Sequence, residues 1–207
     1  MIIQELKPSK RVEGRWLAVL EDGSILRVGE KEVIDFALYA GKELTDEQAQ
    51  ELQNSLRRSG LKEKALLLIS RKPQSRRELE RKLEEWGASK EETAAICDRL
   101  EELGYLDDAS YAARVVRHFC AKGYGERKIR DELYRRGVPR DLWEEALEQA
   151  EEPSESIDAF VAKKMAGRMP DQKELKKVSD ALARRGYRWS DINEALRRYG
   201  AQTDWDV

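Results

Sequence analysis

With 207 residues, of which 39% are charged and only 40% hydrophobic, the chain lacks the apolar material for one thick core and favours thin helical layers. Its formal net charge of −2 argues against a protein that coats nucleic acid through bulk positive charge, so any such contact needs a local basic surface. The sequence has no apolar run as long as a membrane span, and its two cysteines are too few for a disulfide framework. We therefore expect a cytoplasmic protein that contacts no membrane.

The first 60 residues are predicted to form a small module of β-strands followed by helices. Short strands are expected at residues 2–3, 11–20 and 25–28. Asp22-Gly23, between the last two strands, is a hairpin turn signal. A helix is then expected over about residues 30–39, ended by Gly41. Its apolar side is expected to consist of Val33, Ile34, Ala37 and Leu38.

A second helix of this module is expected after Thr45, which is a good N-cap residue. Its inward-facing residues are expected to be Ala49, Leu52 and Leu56. Ser59-Gly60 is predicted to break this helix, which places the end of the module at residue 60.

From residue 61 onward the sequence repeats itself and predicts three copies of a three-helix unit, at 61–104, 105–152 and 153–200, with a tail at 201–207. Three positions recur at nearly constant spacing: Leu79, Ile129 and Val178; Leu83, Leu133 and Leu182; Gly87, Gly137 and Gly186. The predicted helices lie at 61–71, 76–86 and 90–103 in the first unit, and the second and third units begin with helices at 109–122 and 156–167. The break Glu151-Glu152-Pro153-Ser154 separates the last two units. The predicted fold is mainly α: an elongated tandem array of three helix-turn-helix-like repeats after an N-terminal β-hairpin and helix module.

The joint between the first two units is the segment Leu103-Gly104-Tyr105-Leu106-Asp107-Asp108. Gly104 can adopt the positive φ that ends a helix without steric cost, and Leu106 can fold back onto the last turn. Asp107 or Asp108 can then cap the next helix. This capping role accounts for the two adjacent carboxylates without catalysis.

Basic side chains are dense in a short window of the first unit, and some positions stay basic from unit to unit, with Arg77, Arg127 and Lys176 forming one column. In the first unit they are Arg71, Lys72, Arg76, Arg77, Arg81 and Lys82. In the later units they are Lys122, Arg127, Lys128, Arg135, Arg136, Lys176, Lys177, Arg184 and Arg185. The neighbouring Ser75 and Glu78 have the spacing of a capping box, which explains those two residues but not the positive charge. A solvated helix face explains scattered charge, whereas a basic column repeated from unit to unit suits a phosphate backbone or an acidic protein groove. Both interpretations stay open on the residues alone.

Catalytic and metal-binding patterns find no support in the sequence. His118 and Cys120 lack the further ligands that a zinc cage needs. The chain has no glycine-rich phosphate loop, no HExxH and no nucleophile elbow. We therefore expect a protein that is not an enzyme, without catalytic residues, metal or cofactor.

Taken together, these residues resemble the RecX family of recombination regulators. The run from Gly104 to Asp108, followed by Tyr111-Ala112, is similar to the family's central signature. The upstream signature is matched by Arg71, Ser75, Glu78-Leu79, Leu83 and Gly87, and the second unit agrees at Lys122-Gly123, Ile129, Leu133, Gly137-Val138 and Ala146-Leu147. The resemblance is specific over about residues 61–150 and looser over 154–200.

This resemblance implies a regulator of homologous recombination and DNA repair, in the setting of the SOS response, that binds the RecA recombinase and its DNA filament. It implies that the tandem units lie along the filament groove and inhibit ATP hydrolysis and strand exchange, or favour disassembly. The basic residues named above are then the expected contacts. We expect a monomer that binds single- or double-stranded DNA only weakly on its own.

Two other classes of function compete with this expectation. One is a helix-turn-helix-like DNA-binding protein that reads the major groove without a recombinase. The other is a helical scaffold that binds proteins and has no role with nucleic acid. Binding to naked DNA, to recombinase alone and to recombinase on single-stranded DNA separates the three.

Overall fold

The structure is a computed structural model that describes residues 1–148, 153–165 and 171–198. Within this part the chain is mainly helical and starts with an antiparallel sheet in the order β1-β2-β3, formed by Ile3–Pro8, Arg15–Leu20 and Ile25–Gly29. Gly23 has a φ of 80°, and a carboxylate oxygen of Asp22 accepts a hydrogen bond from the backbone N–H of Ser24 at 2.9 Å. The predicted hairpin is confirmed, although β1 is longer than expected and β2 begins at Arg15 rather than at residue 11.

Helix α1, Glu30–Asp35, ends earlier than the sequence predicts. Ala37 has a φ of 44°, and the N–H of Leu38 donates to the carbonyl of Val33 at 2.9 Å, which reverses the chain in a Schellman-type cap. Leu38 is therefore buried, whereas Ile34 is 76% exposed and Ala37 is also exposed. The prediction that Ile34 and Ala37 lie on the packed side is wrong, because the helix ends before they can share a face with Leu38.

Helix α2, Asp46–Arg71, is continuous over 26 residues, so the predicted break at Ser59-Gly60 is wrong. Its N-cap is the predicted one, since the Thr45 hydroxyl accepts from the N–H of Gln48 at 3.2 Å. Ser59 faces inward and donates to the buried carboxylate of Glu32 at 2.5 Å. Leu61 and Ala65 are also buried, so packing outweighs the cost of about 1 kcal/mol for a glycine within a helix.

The chain folds into two compact units. The first combines Met1–Arg71 with Leu83–Ile96. Its sheet and first two helices enclose a core of Ile3, Ala18, Leu20, Val28, Leu38, Leu44 and Leu52. The second combines Lys72–Lys82 with the chain from Cys97 onward. The division of the chain into one module and three repeats with the boundaries given above stays a prediction.

The remaining helices follow the predicted pattern closely. They are α3 Arg76–Glu85, α4 Lys90–Glu102, α5 Asp108–Ala121, α6 Glu126–Arg135, α7 Trp143–Glu148, α8 Pro153–Met165, α9 Gln172–Arg184 and α10 Trp189–Arg198, with a 3-10 turn at Arg140–Leu142 before α7. The predicted break does not extend over Pro153 and Ser154, which begin α8 three residues before the predicted start, because proline is tolerated in the first turn of a helix. Residues 151–152 of that break, residues 166–167 of the predicted third leading helix and the predicted tail at 201–207 lie outside the described residues. None of the described helices is long and apolar enough to cross a membrane.

The positions that recur in the sequence recur in the structure. Leu79, Ile129, Val178, Leu83, Leu133 and Leu182 are all between 0% and 7% exposed. Gly87, Gly137 and Gly186 follow α3, α6 and α9 with φ values of 85°, 68° and 88°. The equivalence of these helices, which the repeat pattern predicts, is therefore confirmed.

The joint at Gly104 is built as expected. Gly104 has a φ of 72°, the N–H of Tyr105 donates to the carbonyl of Leu100 at 2.9 Å, and Leu106 is 3% exposed. Asp107 caps α5 by accepting from the N–H of Ser110 at 2.9 Å, and this bond lowers the pKa of Asp107.

Asp108 has a different partner, because it accepts from the N–H of Arg76 at the start of α3 at 2.8 Å. Burial raises its pKa despite that bond. The sequence offers either aspartate as the cap of α5. In the structure Asp107 caps α5, and Asp108 instead accepts a hydrogen bond from the start of α3.

Candidate basic interface

The second helices of the repeats, α3, α6 and α9, carry most of the predicted basic residues. Two similar joints hold these helices in place. At the first joint the hydroxyl of Ser75 donates to the carbonyl of Arg136 at 2.5 Å. At the second, the N–H of Gly125 donates to the carbonyl of Arg185 at 2.9 Å, and the N–H of Arg127 to that of Gly186 at 3.1 Å. The start of α3 thus lies on the turn after α6, and the start of α6 on the turn after α9.

The predicted capping box at Ser75 is confirmed and is also part of the first joint. Its hydroxyl accepts from the N–H of Glu78 at 3.1 Å, and its N–H donates to the Glu78 carboxylate at 3.2 Å. Since Ser75 is 0% exposed and also bonds Arg136, one hydroxyl both caps α3 and ties it to the turn after α6.

Some of the predicted basic residues have carboxylate partners inside the chain. Arg76 contacts Asp98 at 2.6 Å, Glu101 at 2.5 Å and Glu80 at 3.0 Å. Burial alone would lower the pKa of Arg76, but the hydrogen bonds to Asp98 and Glu80 outweigh it and raise the pKa. Arg77 is more exposed and contacts Glu80 at 3.2 Å.

A second network surrounds Glu132, which is 5% exposed. It accepts from Arg135 at 2.7 Å and from Arg136 at 2.6 Å. Burial raises the pKa of Glu132, but these bonds outweigh that effect and hold the pKa below its ordinary value. Arg136 also donates to the hydroxyl of Tyr111 at 2.7 Å, and that hydroxyl donates to Glu78 at 2.7 Å. Arg136 therefore links its own helix to the first joint.

Arg185 has the equivalent position at the second joint and also contacts the preceding repeat. Its guanidinium donates to the carbonyl of Gly123 at 3.1 Å. It lies 4.6 Å from the ring centroid of Phe160 and 6.0 Å from that of Tyr124. Like Arg136, Arg185 thus has partners that hold two repeats together.

Eight of the other predicted residues in the second compact unit differ, because they are exposed and have no ion-pair partner among the described residues. Within the described ranges no carboxylate forms an ion pair with Lys72, Arg81, Lys122, Arg127, Lys128, Lys176, Lys177 or Arg184. We call these residues the open cations. They come from all three predicted repeats, so the candidate interface recurs along the second unit. Lys82 is exposed but has a partner within the chain, and Arg71, also exposed, ends α2 in the first unit.

Comparison with known proteins places this arrangement in a family. Residues 62–100 match the model described as "RecX, first three-helix domain", and residues 107–147 match "RecX, second three-helix domain". A "Regulatory protein RecX" of Xanthomonas axonopodis pv. citri is 35% identical over 137 residues, which is 65% of this chain and 85% of that protein. Another, of Vibrio parahaemolyticus, is 37% identical over 139 residues, which is 65% of this chain and 88% of that protein. The chain belongs to the RecX family.

Solved structures show that the fold is also that of RecX proteins. One crystal structure of a regulatory protein RecX aligns with a TM-score of 0.71 at 23% identity and covers 95% of this chain and 98% of the other. The crystal structure of RecX from Lactobacillus salivarius aligns with a TM-score of 0.63 at 20% identity, covering 70% and 97%. The resemblance drawn from the Gly104 and Ser75 motifs is therefore confirmed, and the chain has the regulatory character of its family.

In this RecX chain the structure places a further cation, Lys164, near the open cations of α9, and the sequence analysis did not predict it. Lys164 of α8 lines a groove together with Lys177 and Arg184 of α9, and Phe160 and Val178 lie on its apolar side. At the repeat spacing of 49 and then 50 residues, Lys164 corresponds to Val115 and Ala65, so no recurring basic position pointed to it.

Reactive groups are poorly placed for chemistry in the described residues of this RecX protein. Cys97 is 0% exposed, and burial raises the pKa of its thiol to about 12, which keeps it protonated at neutral pH. Where the structure describes the chain, it contains no group of three or more His, Cys, Asp or Glu residues that could hold a metal ion. The candidate site residues that remain unpaired are cations, which suit anionic partners.

Proposed function

We propose that this RecX protein binds the RecA recombinase and its DNA filament through the open cations and inhibits ATP hydrolysis and strand exchange. The observation that supports the proposal is the recurrence of unpaired, exposed cations in each predicted repeat of a chain that belongs to a family of regulatory proteins. Unpaired cations do not have to break internal ion pairs before they bind phosphates or carboxylates. The role is regulatory and non-enzymatic.

The net charge of −2 favours a filament partner over binding to naked DNA alone. A chain with balanced charge gains little from long-range attraction to DNA, so a few local cations contribute only modest affinity. A filament offers protein and DNA contacts together, and simultaneous contacts multiply affinity. The helix-turn-helix-like DNA reader and the plain protein scaffold are the alternatives that the test must separate.

The test compares two double charge reversals with the same change in net charge. The site variant is Arg127→Glu with Lys176→Glu, and the control is Arg114→Glu with Arg197→Glu. All four side chains are exposed and lack an ion-pair partner among the described residues. Each variant changes one residue of the second repeat, on α5 or α6, and one of the third, on α9 or α10. Binding is measured to RecA on single-stranded DNA, to RecA alone and to naked DNA, with RecA ATP hydrolysis as the functional readout.

We expect the site variant to lose at least about tenfold in filament affinity and most of its inhibition of ATP hydrolysis, with a reduced dependence of binding on salt. The control should stay close to the original protein. Equal losses in both variants would assign the effect to net charge and contradict the site. Tight binding to naked DNA with no added effect of RecA would support the DNA reader instead.

A further inference from the structure

Tyr134 is an exposed aromatic residue that the fold does not need. Its side chain is 68% exposed on α6, next to Leu133, which is fully buried. The core of the second repeat is formed by Tyr111, Ala112, Val115, Val116, Ile129, Leu133, Val138, Trp143 and Ala146, without Tyr134. A large ring that is exposed in this way is available for a partner.

A guanidinium lies over this exposed ring. Arg140 lies 6.0 Å from the ring centroid of Tyr134 and 5.9 Å from that of Trp143. Trp143 is 8% exposed and donates from its indole N–H to the carbonyl of Val138 at 3.0 Å, so it is held in place. Because Arg140 is positioned between two rings and has no carboxylate partner in the described ranges, it is ready to bind an anion beside Tyr134.

Further positive charge lies on the same face of the helix. Arg127, one of the open cations, precedes Tyr134 by seven positions, which is about two helical turns and returns to the same face. Asp131 lies between them in the sequence, but it forms no ion pair with Arg127 or Arg140. One exposed ring is thus flanked by two unpaired guanidinium groups.

We propose that Tyr134 is a stacking platform for an unpaired base of single-stranded nucleic acid, with Arg127 and Arg140 bound to the phosphates on either side. A ring between cations matches the alternation of base and phosphate in a single strand, and base stacking tolerates any sequence. A protein partner would use the ring without needing both cations at once. The inference rests on the proposed function, since it assigns a strand contact to the same basic surface.

The experiment uses the full chain and two fluorescent strands, without recombinase. One strand is an oligothymidylate, and the other has the same length and label but consists of abasic sites, so it keeps the phosphates and lacks the bases. Affinities are measured by fluorescence anisotropy at low salt for the original chain, Tyr134→Ala and Tyr134→Phe. The matched control is Tyr105→Ala, which removes a tyrosine that is 58% exposed in the loop after α4.

We expect the original chain to prefer thymidylate over the abasic strand by at least about fivefold, the effect of one stacked base. Tyr134→Ala should lose that preference while its affinity for the abasic strand stays the same, and Tyr134→Phe and Tyr105→Ala should keep it. No measurable binding, no preference in the original chain, or an unchanged preference in Tyr134→Ala each overturns the proposal. Since RecA is absent from the assay, this result is independent of the test of filament regulation.

Discussion

The turn glycines show how one residue type has two roles in this molecule. Gly87 and Gly137 both have positive φ values after equivalent helices. A Cβ added at Gly87 would meet no atom within 4 Å, whereas one at Gly137 would lie 2.5 Å from both Cβ and Cγ of Arg77. Gly87 thus ends a helix, and Gly137 also lets two repeats approach closely. Gly186 repeats the second role against the backbone of Lys128.

This difference predicts that substitution by alanine lowers the free energy of unfolding by unequal amounts at Gly87 and Gly137. Gly87→Ala should lower the free energy of unfolding by about 1–2 kcal/mol, the strain of a positive φ. Gly137→Ala should cost at least about 1 kcal/mol more, since Arg77 must also move at its Cβ, where it has little freedom. Urea denaturation followed by circular dichroism measures both. Equal losses would contradict the close approach at the first joint.

The buried carboxylate of Glu132 predicts a pH-dependent contribution to stability. Its pKa lies below the ordinary value of 4.5 in the folded chain, so its contribution is fully present above that value and is lost as the pH falls through the folded pKa. Glu132→Gln should therefore cost about 1–3 kcal/mol near neutral pH, where it leaves Arg136 with fewer partners. The difference from the original chain should shrink as the pH falls well below 4.5 and Glu132 becomes protonated in the folded chain.

The control for this prediction is Glu144→Gln. Glu144 also has a lowered pKa through its hydrogen bonds from Arg130, but its side chain is 70% exposed. Exposed ion pairs contribute little, so its removal should change the unfolding free energy only slightly at any pH. If both variants behave alike, the network at Glu132 does not stabilise the repeat through its burial.

At the scale of elements, helix α2 contains a glycine whose replacement by alanine should stabilise the protein. Gly60 lies inside the helix without a positive φ, and a Cβ there would meet nothing within 4 Å. Gly60→Ala should therefore raise the unfolding free energy by about 0.5–1 kcal/mol, because alanine restricts the unfolded chain and fits the helix. Thermal unfolding compared with Gly87→Ala tests this. Destabilisation by Gly60→Ala would mean that the helix does break there.

Local signals in the sequence predict the elements well where they act over a few residues. The Gly104 turn, the Asp107 cap and the Thr45 cap all involve neighbours along the chain, and all are present. The continuity of α2 could not be predicted in this way. It depends on Ser59 reaching Glu32, a contact between residues far apart in sequence.

For the candidate site, the sequence likewise predicts which positions are basic but not which of them have partners in the fold. Arg127 and Arg136 look alike in the sequence, but Arg127 is exposed and Arg136 is enclosed by Glu132 and Tyr111. Spacing can show that basic residues recur, but only tertiary contacts show which of them already have partners. Arg140 was not predicted at all, since its place between Tyr134 and Trp143 follows from how α6 and α7 are arranged.

At the scale of the second unit, the last two repeats have separate cores joined by polar contacts. One core surrounds Ile129 and Leu133, and the other consists of Ile157, Val161, Leu175, Val178, Leu182, Tyr187, Ile192, Ala195 and Leu196. The joint between them includes backbone bonds at Gly125 and Arg127, the bond from Arg185 to Gly123, and the ion pair of Arg188 with Glu126 at 2.5 Å. Neither core contains residues of the other, and removal of the third repeat would expose the N–H groups of Gly125 and Arg127 to water, which can replace their partners. The second repeat therefore does not depend on the third for its core.

Removal of residues 153–207 should accordingly leave a helical, soluble chain that unfolds at a slightly lower urea concentration. Binding should suffer more, because Lys176, Lys177 and Arg184 are removed and each repeat adds contacts to a partner that the others already hold. We expect at least a tenfold loss of filament affinity, about 1.4 kcal/mol. Circular dichroism and a filament titration on the same sample separate the two effects. Unchanged affinity would exclude the third repeat from the interface, and unfolding would show that the second and third repeats depend on a shared core after all.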